Sequence, residues 1–257
     1  MPLFRPISYV PYWRRTPLIP GVGTRLYLPS TGTAAVSPTF RTGWEDTSSA
    51  SPARRAMATT KIASAMTTVA FTDLDATDID ILMYQGVSLP LSGDQTISAQ
   101  NIRVVIRGIE DADTNNTFVG CIVYVVSNNG ATTRGYLIGA DATVVRDDVE
   151  LDAVTLTTRT FSGTSGSVSA LNGDRIVIEL GVGGDPTLLT HDSRLRVGDA
   201  AASDLPYDDV TTDDLNPFIQ FTQALVFGSE VSAFDGSLFP WPSHPLPVQH
   251  LGACVGF

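Results

Sequence analysis

Clusters of Lys and Arg are scarce in this 257-residue chain, and this scarcity argues against nucleic acid binding. Lys and Arg number 16 against 27 Asp and Glu, which leaves a net charge of −11. Phosphate contacts need clustered cations, and the sequence offers only the pairs Arg14-Arg15 and Arg54-Arg55. We therefore expect no nucleic acid partner.

Long apolar runs are also absent. The first twenty residues are interrupted by Pro2, Pro6, Pro11, Pro17 and Pro20, so they cannot form the apolar segment of a signal peptide. No stretch approaches the length needed to cross a bilayer. The sequence predicts no membrane partner, and a protein made and kept in a cytoplasm unless something carries it out.

Residues that usually carry catalysis are few. The three histidines, His191, His244 and His250, lie too far apart for a zinc site, and no GxSxG elbow occurs. Gly181–Gly184 follows a strand but leads into Asp185-Pro186 and not into a helix, so it cannot cradle phosphate. The sequence predicts no catalytic residue, no cofactor and a protein that is not an enzyme.

The two cysteines, Cys121 and Cys254, leave a disulfide open, because spacing alone neither supports nor excludes one. Cys121 stands inside an apolar run, which favours a small buried side chain.

Two acidic clusters, Asp73–Asp80 and Asp204–Asp214, are rich in the oxygen ligands that calcium prefers. Asp is also a turn former, and the first cluster lacks the glycine turn and closing Glu of an EF-hand. Acidic surface loops are the default interpretation. The weak metal candidates are Asp208, Asp209, Asp213 and Asp214.

Short apolar or alternating runs dominate the middle of the chain, and no long helical stretch interrupts them. This pattern predicts an all-β antiparallel sandwich. The runs Ile122–Val126 and Ile176–Ile178 are continuously apolar, so we expect strands covered on both faces. The predicted strands are Asn101–Ile109, Phe118–Val126, Gly135–Gly139, Val154–Phe161, Arg175–Val182 and Pro217–Phe227.

Composition divides the chain into a sandwich, 24–233, and two extended arms, 1–23 and 234–257. Within the sandwich, 37–80 is rich in Ser, Thr and Ala and is predicted to be irregular. Its Ala53–Ala65 stretch is the only plausible short helix, and a long loop or an irregular strand pair is the alternative.

Both arms combine prolines with aromatic side chains, a mixture that favours extended chain packed on a surface. The arms either pack on their own sandwich or reach neighbouring subunits, where aromatic anchors contribute most of an interface's energy. The predicted interface residues are Phe4, Tyr9, Tyr12, Trp13, Phe239 and Trp241.

A resemblance becomes visible in three places: Asn172–Gly181, Asp204–Phe221, and Thr24–Ser30 together with Trp44-Glu45. These segments resemble uncharacterised virion structural proteins of tailed bacteriophages. The resemblance implies a jelly-roll-type β-sandwich that is a virion component assembled in the host cytoplasm, with other virion proteins as partners, and it transfers no catalytic residue. The leading hypothesis places it on the capsid shell or in the tail and its fibres, where docking through the arms would favour a homo-oligomer.

Elementary geometry assigns roles within these segments. Gly173 supplies a positive φ at a turn, and Pro217 begins the last strand where no ladder donor is needed. Alternation along the strand after Gly173 directs its side chains to opposite faces. Ile176, Ile178 and Leu180 are expected on one face, Val177 and Glu179 on the other, and Phe218, Phe221 and Phe227 in the core or an interface.

Two alternative functions stay open. Exposed aromatics on one sheet could bind host-surface glycans, and the candidates are Tyr84, Tyr124, Tyr136 and Tyr207. A glycan-cleaving enzyme would instead need two acids converging in a cleft, for which Asp208 or Asp209 would be tested.

Overall fold

The computed structural model describes residues 23–47, 52–62, 64–73, 77–140, 143–184 and 190–229. The chain is all-β, as predicted, and its strands form two large sheets and one small pair. The strands are β1 Arg25–Tyr27, β2 Asp46–Thr47, β3 Ala53–Ala56, β4 Thr67–Asp73, β5 Ile79–Val87, β6 Gln95–Ile97, β7 Asn101–Glu110, β8 Thr117–Val126, β9 Thr133–Ile138, β10 Val145–Glu150, β11 Thr157–Thr164, β12 Val168–Ala170, β13 Arg175–Gly184, β14 His191–Val197 and β15 Phe218–Phe221.

Sheet I has the order β1-β15-β7-β14-β4, with β11 also paired to β7. Strand β15 pairs with the first half of β7 and β14 with its second half, while β11 runs along most of its length. All of these pairs are antiparallel. Strand β7 is therefore the centre of this sheet.

Sheet II has the order β10-β8-β13-β5-β2, with β9 also on β8 and β3 also on β5. The short strands β2 and β3 run parallel to β5, and the remaining pairs are antiparallel. The predicted mid-sheet runs Ile122–Val126 and Ile176–Ile178 belong to β8 and β13, at the centre of this sheet, which confirms that prediction.

The main core lies between the two sheets and combines inward-facing side chains of β5, β7, β8 and β13. Alternation along β13 is as predicted. Ile176, Ile178 and Leu180 enter this core, whereas Val177 belongs to a second cluster on the other face of sheet II. The fold is thus a sandwich of two sheets, and its jelly-roll topology stays a prediction.

Each sheet is also covered on its outer face. Segment 34–44, which we call the cover segment, packs Ala34 and Trp44 on sheet II beside Tyr124 and Val177. On sheet I, Val105 and Phe218 pack with Leu205 from the loop before β15. Burial on both faces explains the continuously apolar sequences of β8 and β13.

Several predicted boundaries differ from the structure. Ala53–Ala56 is a strand and not the start of a helix, because its backbone pairs with β5. The predicted irregular region 37–80 therefore contains β2, β3, β4 and the start of β5. Val154, predicted to lie in a strand, is 84% exposed in the loop before β11. Within the predicted strand Pro217–Phe227, only Phe218–Phe221 pairs as a strand.

Other local predictions are confirmed. Gly173 has a φ of 90°, in the left-handed region, and Pro217 directly precedes β15. Phe218 and Phe221 are fully buried, while Phe227 is half-buried and bridges to Leu91.

Cys121 is a free, fully buried thiol, and burial raises its pKa. This confirms its expected packing role. Among the described residues, no helix has the length and apolar character needed to cross a membrane.

Candidate functional site

The predicted interface aromatics of both arms, Phe4, Tyr9, Tyr12, Trp13, Phe239 and Trp241, lie outside the described residues. So do His244, His250 and Cys254. The candidate residues that the structure describes therefore all belong to the sandwich.

The four weak metal candidates do not converge. Asp208 caps its own turn, accepting hydrogen bonds from the amides of Val210 and Thr211 at 3.1 and 3.0 Å. A further bond from the Thr211 hydroxyl is the main cause that lowers the pKa of Asp208. Asp209 instead accepts a bond from the amide of Thr160 at 2.7 Å.

Asp214 turns towards sheet I, where it pairs with Arg107 and, at 2.8 Å, with Arg196. Within the described part of the chain, no group of three or more His, Cys, Asp or Glu is arranged to hold a metal ion. The carboxylates of Asp204, Asp208, Asp209 and Asp214 thus serve turns and ion pairs one by one, and that of Asp213 is exposed.

The four candidate tyrosines do not share a face. Tyr84 is buried in the main core, and its hydroxyl donates to the carbonyl of Pro29 at 3.1 Å. Tyr124 and Tyr136 lie together under the cover segment, with ring centroids 6.0 Å apart. Only Tyr207 is exposed, at 41%.

Tyr207 belongs to a mixed aromatic and charged surface on sheet I, which we call the Tyr207 cluster. The guanidinium of Arg103 lies 5.0 Å from the centre of the Tyr207 ring, and Arg25 donates to the Tyr207 hydroxyl at 3.1 Å. Arg25 also stacks on Phe218 at 4.1 Å and pairs with Asp204. Cation–π contacts of this kind hold the aromatic rings and guanidinium groups in place.

A buried carboxylate, that of Glu179, is the most densely bonded group of sheet II. Its oxygens accept hydrogen bonds from the Tyr124 hydroxyl at 2.8 Å and the Gln85 amide at 2.9 Å. From the cover segment, the Trp44 indole donates at 2.8 Å and the Arg41 backbone at 3.1 Å. We call these five residues the Glu179 hub.

The hub fixes the cover segment on sheet II. The hydroxyl of Tyr124 is buried next to the Glu179 carboxylate, and this burial and the acceptor together raise the pKa of Tyr124. All four donors point inward, and Glu179 is fully buried. Hydrogen bonds to a carboxylate are about twice as strong as those between neutral groups, so the hub is a structural clamp.

Two glycines make room for the indole of the hub. Gly181 of β13 pairs with Gly120 of β8, and Trp44 lies over both. A Cβ on Gly181 would come 2.7 Å from the indole and 1.9 Å from the carbonyl oxygen of Ile81. No side chain fits at Gly181 without displacing the neighbouring strand.

A second acidic group lies at one end of the sandwich. Glu110 ends β7 and is 2% exposed, and Glu150 ends β10. Their carboxyl groups lie within hydrogen-bonding reach of each other. At the same end of the sandwich, His191 is 3% exposed, and its Nδ1 has no hydrogen-bond partner.

Sequence reasoning predicted the face of Glu179 but missed its donors and missed the Glu110–Glu150 pair. The sequence did carry a signal for the donors of Glu179, because a Glu inside an otherwise apolar strand has to find buried partners. It carried none for the pair, because no local pattern places Glu110 beside Glu150.

No protein-family model and no curated protein matches the chain. A CocE/NonD family hydrolase from Staphylococcus aureus matches over 82% of this chain and 37% of its own length, with 8% identity and a TM-score of 0.42. An alpha-amino acid ester hydrolase matches over 77% of this chain and 36% of its own, with 10% identity and a TM-score of 0.41. The VP2 subviral particle of infectious bursal disease virus matches over 66% of this chain and 40% of its own, with 10% identity and a TM-score of 0.21.

These matches contradict the prediction that the chain is not an enzyme, since hydrolases are among them, and we withdraw that prediction. The chain spans less than two fifths of the length of these hydrolases. At TM-scores of 0.42 and below, the likeness assigns neither a hydrolase activity nor a catalytic residue.

Proposed function

We propose that this chain is a structural subunit of a tailed-bacteriophage virion, assembled into a homo-oligomer through its two terminal arms. The observation that carries the proposal is the position of the two ends of the described sandwich. The described chain begins at Gly23 against Phe221 and passes Thr24 again at Leu225. Its two ends therefore approach each other beside β1 and β15, before the second continues past Pro90 to Ser229.

Backbone contacts define this approach of the two ends. Thr24 donates from its amide to the carbonyl of Gln223 at 3.1 Å, and its carbonyl accepts from Phe221 at 2.8 Å. The Thr24 hydroxyl accepts from the amide of Leu225 at 2.7 Å. Four residues further on, the described chain ends at Ser229.

Two arms attached to one sandwich can act together on one neighbouring subunit. Each arm carries aromatic side chains and prolines, which suit an extended segment laid on another subunit. Binding through two linked segments is stronger than through either alone, because the second contact becomes intramolecular. An arm-mediated contact repeated by symmetry gives a closed homo-oligomer or a ring on the particle.

The test is to weaken one arm in the full-length chain. Trp13→Ala combined with Tyr12→Ala removes two aromatic anchors of the N-terminal arm. We expect the wild-type chain to form a discrete oligomer in size-exclusion chromatography with light scattering, and the variant to shift to monomer with unchanged circular dichroism.

The matched control is Val154→Ala, which removes an apolar side chain that is 84% exposed on the sandwich itself. It should leave the oligomer intact. A monomeric wild-type chain that also fails to bind phage particles lacking it would refute the proposal. Precipitation of the arm variant alone would show that the arm packs on its own sandwich.

A second candidate function, recognition of a host-surface glycan, is favoured by the Tyr207 cluster. There an exposed aromatic ring stands beside the charged side chains of Arg25, Arg103 and Asp204. Sugar rings stack on aromatic faces while polar neighbours bind their hydroxyls. In a glycan-array assay, Tyr207→Ala should abolish binding and Tyr207→Phe should retain most of it. Equal binding by wild type and Tyr207→Ala would exclude this surface.

A further inference from the structure

The pair Glu110 and Glu150 presents two carboxyl groups to each other at the end of the sandwich where β7, β8 and β10 meet. The side chains lie within hydrogen-bonding reach of one another. Glu110 uses its Oε2 to accept a hydrogen bond from the backbone of Thr117 at 2.9 Å. The Oε1 atoms of both residues are buried and have no hydrogen-bond partner.

Two carboxyl groups within hydrogen-bonding reach can bond to each other only if one of them carries a proton. A carboxylate can only accept hydrogen bonds, whereas a protonated carboxyl group can donate one. Two carboxylates at this range ionise together only at a cost, which favours one proton on the pair at acidic pH. Within the described residues, neither carboxyl has an ion-pair partner.

We propose that Glu110 and Glu150 share a single proton, and that losing this proton loosens the β7–β8 turn and the end of β10. The site is a proton-sharing carboxyl pair and acts as a pH-sensitive latch. It is independent of the proposed virion role, since it lies in the sandwich and not in the arms.

The surroundings of Glu110 support this assignment. Burial is the main cause that raises its pKa, the nearby Glu150 raises it further, and the Thr117 amide opposes them, so that it lies at about 7. The other ionisable groups near this end are Asp111, which accepts from the Asn115 amide, Asp152 in the loop after β10, and His191 of β14. The buried cation Arg159 of β11 donates to the carbonyl of Val149 at 3.2 Å and pairs with Asp147, and not with Glu110 or Glu150.

The hydrogen bonds around the pair show what would loosen. Glu110 joins the loop after β10 through its own amide, which donates to Asp152 at 3.2 Å. The amide of Leu151 donates to Thr117 at 2.8 Å. Repulsion between two ionised carboxylates pushes β10 away from β7 and strains these bonds.

The sign of the pH effect follows from the raised pKa. A carboxyl group whose pKa is higher in the folded than in the unfolded state stabilises the fold below its unfolded pKa. That contribution is lost as the pH rises through the folded pKa of about 7. The latch is therefore closed in acid and opens as the pH rises above neutral.

A divalent cation is the competing occupant. Asn115 is fully buried, and its Oδ1 also has no hydrogen-bond partner, so a third oxygen is present in the β7–β8 turn. Calcium prefers six to eight oxygen ligands, more than these three supply. The proton is therefore the occupant that we propose.

The direct test is a titration of the full-length chain labelled at its glutamate carboxyl carbons and followed by NMR. Of the five glutamates, Glu45, Glu110, Glu150, Glu179 and Glu230, we expect Glu110 to show an apparent pKa near 7 and its signal and that of Glu150 to change together through this step. An ordinary value for Glu110 would overturn the proposal.

Thermal unfolding tests the consequence. Between about pH 5 and about pH 9 the wild-type melting temperature should fall by roughly 10 °C more than that of Glu110→Gln. Glu150→Gln should also flatten the pH dependence, and its remaining Glu110 should titrate lower. The control Asp113→Asn, an exposed acid in the same turn, should keep the wild-type profile.

Two outcomes would contradict the latch. One is an unchanged pH profile in both glutamine variants. The other is a rise in wild-type melting temperature on adding calcium that Glu110→Gln abolishes, because that result would identify a cation site in place of a shared proton.

Discussion

Replacing Glu179 by glutamine tests whether the buried carboxylate clamps the cover segment to sheet II. Oε1 accepts from Tyr124 and Gln85, while Oε2 accepts from Trp44 and the backbone of Arg41. Glutamine keeps the shape but has only one acceptor oxygen, and its NH₂ group faces donors. The Tyr124 hydroxyl can turn to accept from the new NH₂ group, and the Arg41 amide also reaches Oε1 at 3.3 Å. Whichever way the amide turns, one buried donor, the Trp44 indole or the Gln85 amide, loses its acceptor.

The magnitude follows from this one donor. A buried donor left unpaired costs about 1 to 3 kcal/mol, so the substitution should lower the free energy of unfolding by about 2 kcal/mol. Whole domains are stable by only about 5 to 15 kcal/mol. For a domain of this size the melting temperature should fall by roughly 5 °C.

The assay is urea unfolding followed by circular dichroism, with limited trypsin digestion of the native protein. Arg41 lies in the cover segment, so Glu179→Gln should speed cleavage there. Glu45→Gln, an exposed acid next to Trp44, is the matched control and should change stability by less than about 0.5 kcal/mol. A loss below about 1 kcal/mol for Glu179→Gln, with unchanged digestion, would refute the clamp.

Three further predictions concern packing. Gly181→Ala should destabilise the fold by about 2 kcal/mol or more in chemical unfolding, because the added Cβ would meet a backbone carbonyl of the next strand at 1.9 Å. A variant as stable as the wild type would contradict this close approach. Gly173→Ala should cost about 1 kcal/mol, since its φ of 90° is strained for alanine, and an unchanged urea midpoint would argue against that turn. In a Cys254→Ser background, the buried, high-pKa thiol of Cys121 should react with thiol reagents only after unfolding, whereas rapid labelling of the native protein would show that β8 is accessible.

Strand β13 shows how far the sequence alone can lead. Its run of apolar residues, with a glycine turn before it, was enough to predict the strand, its central place and the face of each side chain. The period of two is a property of the backbone itself, so it needs no knowledge of the partners. The positive φ at Gly173 is local in the same sense.

Strands β10 and β14 show where local patterns fail. Their sequences, VRDDVE and HDSRLRV, are rich in charge, and they were not predicted as strands. Only alternate residues of β14 are buried, and the arginines Arg194 and Arg196 face outward. Such strands exist because a neighbour supplies their hydrogen bonds, which no local pattern records.

The sequence by itself determined the fold class, the alternation of the central strands and the glycine turn, because each depends on the backbone and on nearest neighbours. The tertiary structure alone decided which polar groups meet. Trp44 and Glu179 are 135 positions apart, and Glu110 meets Glu150 only because β7 and β10 end at the same place. Contacts between distant residues depend on strand order, and strand order is set by the packing of the whole chain.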